Sequence, residues 1–99
     1  MSDFLEQLIG IIDDRKRHPQ PGSYTNRLLS DPASAAQKVG EEASEVIVAA
    51  LAQTDARLVE EMADLVYHSL VLLATRDVGW PDVLAELERR HAPGFSENS

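Results

Sequence analysis

Apolar residues recur at helical spacing along most of this chain, interrupted by short clusters of proline, glycine and small polar residues. Leu5, Leu8, Ile9 and Ile12 follow an i, i+3, i+4, i+7 pattern and predict an amphipathic helix over residues 2–17. Ser2 is its candidate N-cap, Asp3 lies in its first turn, and Arg15, Lys16 and Arg17 occupy its last turn, where cations suit the helix dipole. His18-Pro19-Gln20-Pro21-Gly22 cannot continue a helix. One or two helical turns are expected in residues 23–29. Asp31 as N-cap and Pro32 at the first helical position then open a helix to about residue 52, with Val39, Ala43, Val46, Ile47 and Ala50 on one face. Gln53-Thr54-Asp55 is short enough to force the next helix back antiparallel. That helix, residues 56–76, carries Leu58, Met62, Leu65, Val66, Ser69, Leu72 and Leu73 as its core stripe. Gly79-Trp80-Pro81 breaks it, and Pro81 starts a last helix with Val83, Leu84 and Leu87. No stretch alternates with the period of a strand. The pattern predicts an all-α fold, an antiparallel bundle of four to five helices over residues 1–92, followed by a flexible tail over 93–99.

Composition narrows the class. A chain of 99 residues is one small domain, which alone buries only roughly 60–65% of the surface its unfolded chain exposes. It has no cysteine, so disulfides cannot reinforce that core, and thiolate zinc sites and cysteine nucleophiles are excluded. A second copy completing the bundle is therefore expected. Seventeen acidic against nine basic residues give a net charge of −8, which argues against nucleic acid as a partner. An acidic N-terminus and the lack of an apolar run of about 18 residues point to a cytoplasmic protein without a membrane partner.

The acids are not scattered. With Glu42 as the zero of its helical wheel, Glu45 falls near −60° and the apolar residues Val46, Val39, Ala50 and Ala43 between about 40° and 100°. With Glu61 as zero, Asp64 falls near −60°, and Leu65, Leu58, Ser69 and Met62 occupy about 40° to 100°. The two patterns superpose, each placing an acidic pair on the same shoulder of an apolar stripe. Antiparallel packing through those stripes brings Glu42, Glu45, Glu61 and Asp64 to one edge. Four like charges there repel unless a cation intervenes. An oxygen-only donor set suits a hard divalent ion, Mg²⁺ or Mn²⁺. A solvated acidic surface is the competing explanation of the same spacing.

The runs Gln37-Lys38-Val39-Gly40-Glu41-Glu42-Ala43-Ser44-Glu45-Val46 and Glu61-Met62-Ala63-Asp64-Leu65-Val66-Tyr67-His68 resemble the Glu-Glu-x-x-Glu … Glu-x-x-Asp signature of the all-α nucleoside triphosphate pyrophosphatases, the MazG-like superfamily. Gly22-Ser23-Tyr24-Thr25, the Lys-Val-Gly-Glu-Glu run, the Tyr-His pair and the closing segment with Arg89 and Arg90 narrow the resemblance to the phosphoribosyl-ATP pyrophosphatase family of histidine biosynthesis. It extends over nearly the whole chain. Trp80-Pro81 departs from it, where an aliphatic pair is more usual, without touching a signature acid. The resemblance implies hydrolysis of phosphoribosyl-ATP to phosphoribosyl-AMP and pyrophosphate, Mg²⁺ on Glu42, Glu45, Glu61 and Asp64, and a homodimer.

The remaining polar residues take candidate roles. Attack of water on a polyanion needs a base, for which Glu41 and Glu45 are the candidates. Lys38, one turn before Glu42, fits both a surface ion pair and a phosphate ligand. Arg89 and Arg90 fit phosphate oxygens or the helix dipole. Ser23, Tyr24 and Thr25 fit either a substrate-contacting or a capping segment. His68, one turn after Asp64, is expected to support Asp64, and Tyr67 to point toward a subunit interface. Two other functions share these features: a pyrophosphatase clearing other nucleotides, and a non-enzymatic adaptor whose acidic faces bind a basic partner.

Overall fold

The computed structural model describes residues 3–92, so the expected tail over 93–99 and Ser2 lie outside the described residues. Five helices follow in order: α1 Phe4–Arg17, α2 Tyr24–Leu29, α3 Pro32–Ala52, α4 Asp55–Thr75 and α5 Trp80–His91. Each boundary has a local cause. Asp3, and not Ser2 as expected, caps α1, its carboxylate accepting from the Leu5 amide at 2.9 Å. Ser23 caps α2 by accepting from Asn26 N–H. Asp31 caps α3 through the Ser34 amide and hydroxyl, with Pro32 in the first turn. Thr54 caps α4 through the Arg57 amide.

The turn between α1 and α2 is tied down from α2. Asn26 donates to the Arg15 carbonyl and accepts from the Gln20 amide, both at 2.8 Å, while Gly22 takes φ 80°, a conformation that costs glycine little. At the same end of α1, Lys16 reaches to the Ala74 carbonyl, 2.6 Å away, and to the Asp77 carboxylate.

Helices α3 and α4 form the antiparallel hairpin that their two-residue connector dictates, and α4 also packs against α1 and α2. The core consists of Ile12, Leu28, Ala35, Leu70 and Val71, flanked by Leu5, Leu8, Ile9, Val66, Tyr67 and Trp80 among others. The seam between α3 and α4 differs from the expected one. The buried line on α3 is Ala35, Glu42 and Ala49, seven residues apart, and on α4 it includes Glu61 and His68, also seven apart. Seven residues are close to two turns, so Glu42 and Glu61 lie on the seam rather than on its shoulder. The expected stripe residues Val39, Ala43, Val46, Leu58, Leu65 and Leu72 are half-buried, and Met62, Ile47 and Ala50 are exposed. Rotation of the hairpin toward its polar line leaves an apolar face outside: Phe4, Leu51 and Val59 are 66%, 83% and 68% exposed.

Candidate metal centre

That rotation brings carboxylates together. Glu42 from the middle of α3 and Glu61 and Asp64 from the first half of α4 each place an oxygen within 4.8 Å of the others. Glu42 and Glu61 are 9% and 7% exposed, whereas Asp64 is open to solvent. Buried carboxylates on this scale are sustained only by counter-charge, and two cations supply it. Lys38 Nζ lies 3.3 Å from Glu42 and 3.4 Å from Glu41. Its ammonium is held above the ordinary lysine value, chiefly by the hydrogen bond to Glu42, with further contributions from nearby Tyr24 and from Glu41. Arg57 forks onto Glu60 and Glu61, which raise its already high pKa in that order.

The donor set suits a hard divalent cation. All three groups offer oxygen, they come from two rigid helices, and a spread of up to 4.8 Å is near the roughly 4.2 Å across an octahedron of Mg–O bonds.

The other candidate residues are distributed unevenly around this group. Glu45, expected among the ligands, is exposed on the next turn of α3 and is not in the three-carboxylate group. Glu41 is also exposed and accepts from the Gln37 amide at 3.1 Å. Ser23 is the α2 cap. Tyr24 donates its hydroxyl to His68 Nε2 at 2.9 Å, and Thr25 bonds the Tyr67 hydroxyl. His68 reaches Asp64 through its backbone: its Nδ1 meets the Asp64 carbonyl at 2.7 Å. Tyr67 turns inward, half-buried against the core and α2, so the expected interface role is corrected. Its position near −120° on the α4 wheel faces α2, which the wheel alone does not locate. Arg89 and Arg90 both grip Glu86 on α5. Arg57 escaped the sequence reading, although its i, i+4 spacing to Glu61 is the signature of a helix ion pair.

Comparison with known proteins places the chain in a family. A family model described as phosphoribosyl-ATP pyrophosphohydrolase matches residues 5–91. The chain belongs to the phosphoribosyl-ATP pyrophosphohydrolase family. A phosphoribosyl-ATP pyrophosphatase of Pyrobaculum calidifontis is 54% identical over 87 residues, covering 87% of this chain and 93% of that protein. One from a Caulobacter species is 48% identical over 98 residues, 98% of this chain and 92% of the relative. The histidine biosynthesis bifunctional protein HisIE of Gloeobacter violaceus is 47% identical over 90 residues, which are 90% of this chain but 40% of that protein. The family match takes in all of the α1–α5 bundle but Phe4, and every residue of the carboxylate group.

Proposed function

We propose that this chain hydrolyses phosphoribosyl-ATP between its α and β phosphates, giving phosphoribosyl-AMP and pyrophosphate, an early step of histidine biosynthesis in the cytoplasm. Glu42, Glu61 and Asp64 hold a Mg²⁺ ion, for which Mn²⁺ can substitute. The convergence of these three carboxylates across the α3–α4 seam, in a member of this family, carries the reading. An ion held there would supply charge neutralisation for the phosphates and would make water more acidic. The chain supplies the rest. Lys38, at the rim beside Glu42, donates to a phosphate oxygen. Glu45, outside the ligand group and one turn from Glu42, takes the proton of the attacking water; Glu41, turned toward Gln37 and Lys38, is less suited to that task. Attack breaks the anhydride bond and pyrophosphate leaves.

The same reading assigns the apolar face to a second copy of the chain. Phe4, Leu5, Leu8, Leu58, Val59 and Met62 line one continuous groove, and Ile47, Val48 and Leu51 lie exposed on α3. Exposed apolar surface of that extent marks a contact site, and a homodimer covers it with surface the chain itself provides.

Incubation of the purified protein with phosphoribosyl-ATP and Mg²⁺ is expected to release pyrophosphate and phosphoribosyl-AMP, and chelation to abolish it. Equal or faster turnover of ordinary or damaged nucleoside triphosphates would replace the substrate assignment with a nucleotide-clearing one. Absence of both turnover and divalent-cation binding would leave only an acidic adaptor.

A further inference from the structure

Helix α2 has only six residues, Tyr24–Leu29, too few to be stable alone. Two consecutive side chains of α2 clasp two consecutive side chains of α4. The Tyr24 hydroxyl lies 2.9 Å from His68 Nε2, and Thr25 Oγ1 bonds the Tyr67 hydroxyl. The rings interlock as well. Tyr24 and Tyr67 stack with centroids 6.4 Å apart, and His68 stands edge-on to both. His68 is 6% exposed and its Nδ1 faces the Asp64 carbonyl. A carbonyl only accepts, so Nδ1 carries the proton, and in the neutral ring Nε2 is an acceptor that only Tyr24 satisfies. The Asp64 whose carbonyl His68 meets is one of the three converging carboxylates, which places this pair beside the carboxylate site and not at the far end of the bundle.

We propose that Tyr24 and His68 are a positioning pair, in which the Tyr24 hydroxyl on His68 Nε2 docks α2 as a fixed wall of the Glu42–Glu61–Asp64 site, and neither side chain bonds the substrate. The inference rests on the phosphoribosyl-ATP reading of that site. Docking sets substrate affinity because only the docked fraction of molecules is competent to bind. The divalent ion is held by α3 and α4 alone, so its affinity does not depend on the pair.

A double-mutant cycle tests this. Tyr24→Phe removes the hydroxyl and keeps the stacked ring, and His68→Asn keeps a donor for the Asp64 carbonyl while withdrawing the acceptor at Nε2. Each is expected to raise KM about twofold, because one buried hydrogen bond lost takes a helix that is docked in most wild-type molecules to about half docked, with kcat and the Mg²⁺-induced thermal shift unchanged. The double variant is expected to be no worse than either single one. His68→Gln, which returns an acceptor near the Nε2 position, restores KM in the wild-type background but not when combined with Tyr24→Phe. Amide exchange of α2 in the substrate-free protein rises about tenfold in Tyr24→Phe if the pair docks the helix. Multiplicative losses in the double variant overturn the proposal, since they mean Tyr24 meets substrate directly; unchanged α2 exchange overturns it too. A wild-type protein inert toward phosphoribosyl-ATP sinks the functional reading instead, and the exchange measurement then decides separately whether the pair docks α2.

Discussion

Replacing Glu61 by Gln separates the electrostatic cost of the carboxylate centre from its use. Two unit charges 4.8 Å apart, the outer separation within the group, repel by about 1 kcal/mol in water and about 3.5 kcal/mol at an effective dielectric of 20. Glu61 is nearly buried and Asp64 exposed, so its repulsions with Glu42 and Asp64 fall at opposite ends of that range. The substitution removes both and sacrifices the pairing with Arg57, a single attraction on a half-exposed arginine. In the absence of divalent ions, Glu61→Gln is therefore expected to melt at or above the wild-type temperature. Saturating Mg²⁺ reverses the order. At one hundred times its dissociation constant a ligand stabilises the native state by about 2.7 kcal/mol. For a domain of this length each kcal/mol raises the melting temperature by about 4–8 °C, so the wild type gains about 10–20 °C. Glu61→Gln loses most of that gain, and turnover falls by about 10²–10³-fold, typical of removing one electrostatic contact from a transition state. Thermal melts with and without Mg²⁺, run beside a pyrophosphate-release assay, read all three quantities. A variant that keeps the full Mg²⁺ shift and turnover refutes the assignment of the centre. One destabilised by more than about 3 kcal/mol without metal refutes the claim that the carboxylates strain the empty site.

Three further outcomes follow from the packing. Val59→Glu places a charge on the exposed apolar face and is expected to convert a dimer to monomer in sedimentation velocity with the helical circular dichroism retained; an unchanged sedimentation coefficient argues against that face as the contact. Ile12→Ala empties a core site that is 3% exposed and should cost about 2–5 kcal/mol in urea unfolding; a loss below 1 kcal/mol would mean that α1 is not packed as described. The Arg89 and Arg90 guanidinium groups hold the Glu86 carboxyl down to about 2, so their stabilisation of α5 is fully present above the unfolded value near 4.5 and fades as pH falls toward 2. Carbon-detected NMR titration should show Glu86 moving up toward 4.5 in Arg89→Ala, and an unmoved titration would contradict the pairing.

Most of the local structure is readable from single residues and their neighbours. Pro19, Pro21 and Gly22 stop α1, Asp31-Pro32 starts α3, and Gln53-Thr54 is too short to do anything but reverse the chain. These are contacts within a few residues, which the sequence encodes directly. The acids Glu42, Glu61 and Asp64 were likewise legible as a group, because an i, i+3 pair and a matching residue on the preceding antiparallel helix share an edge whatever the fine packing. Misplaced by the sequence was the seam. A helical wheel gives angles about one axis but not which arc meets the neighbour, and apolar residues on α4 run around much of its surface. Assigning the buried face to the apolar arc put Met62 inside and Glu61 on the shoulder; α1 and α2 take up part of that apolar surface, and the acidic line turns to α3.

Glu45 shows the same limit at smaller scale, since its wheel angle equals that of Asp64 on the other helix and both are exposed, yet Asp64 joins the group and Glu45 does not. Long-range pairs were beyond reach for a different reason. Tyr24 and His68 are 44 residues apart, Lys16 and Asp77 61 apart, and no local spacing announces such contacts. Sequence by itself determined the helices, the Asp31 cap of α3, the antiparallel hairpin and three of the carboxylates that converge. Only the tertiary structure decided how far each helix turns about its axis, because α4 packs against α1, α2 and α3 at once and its angle answers to all three.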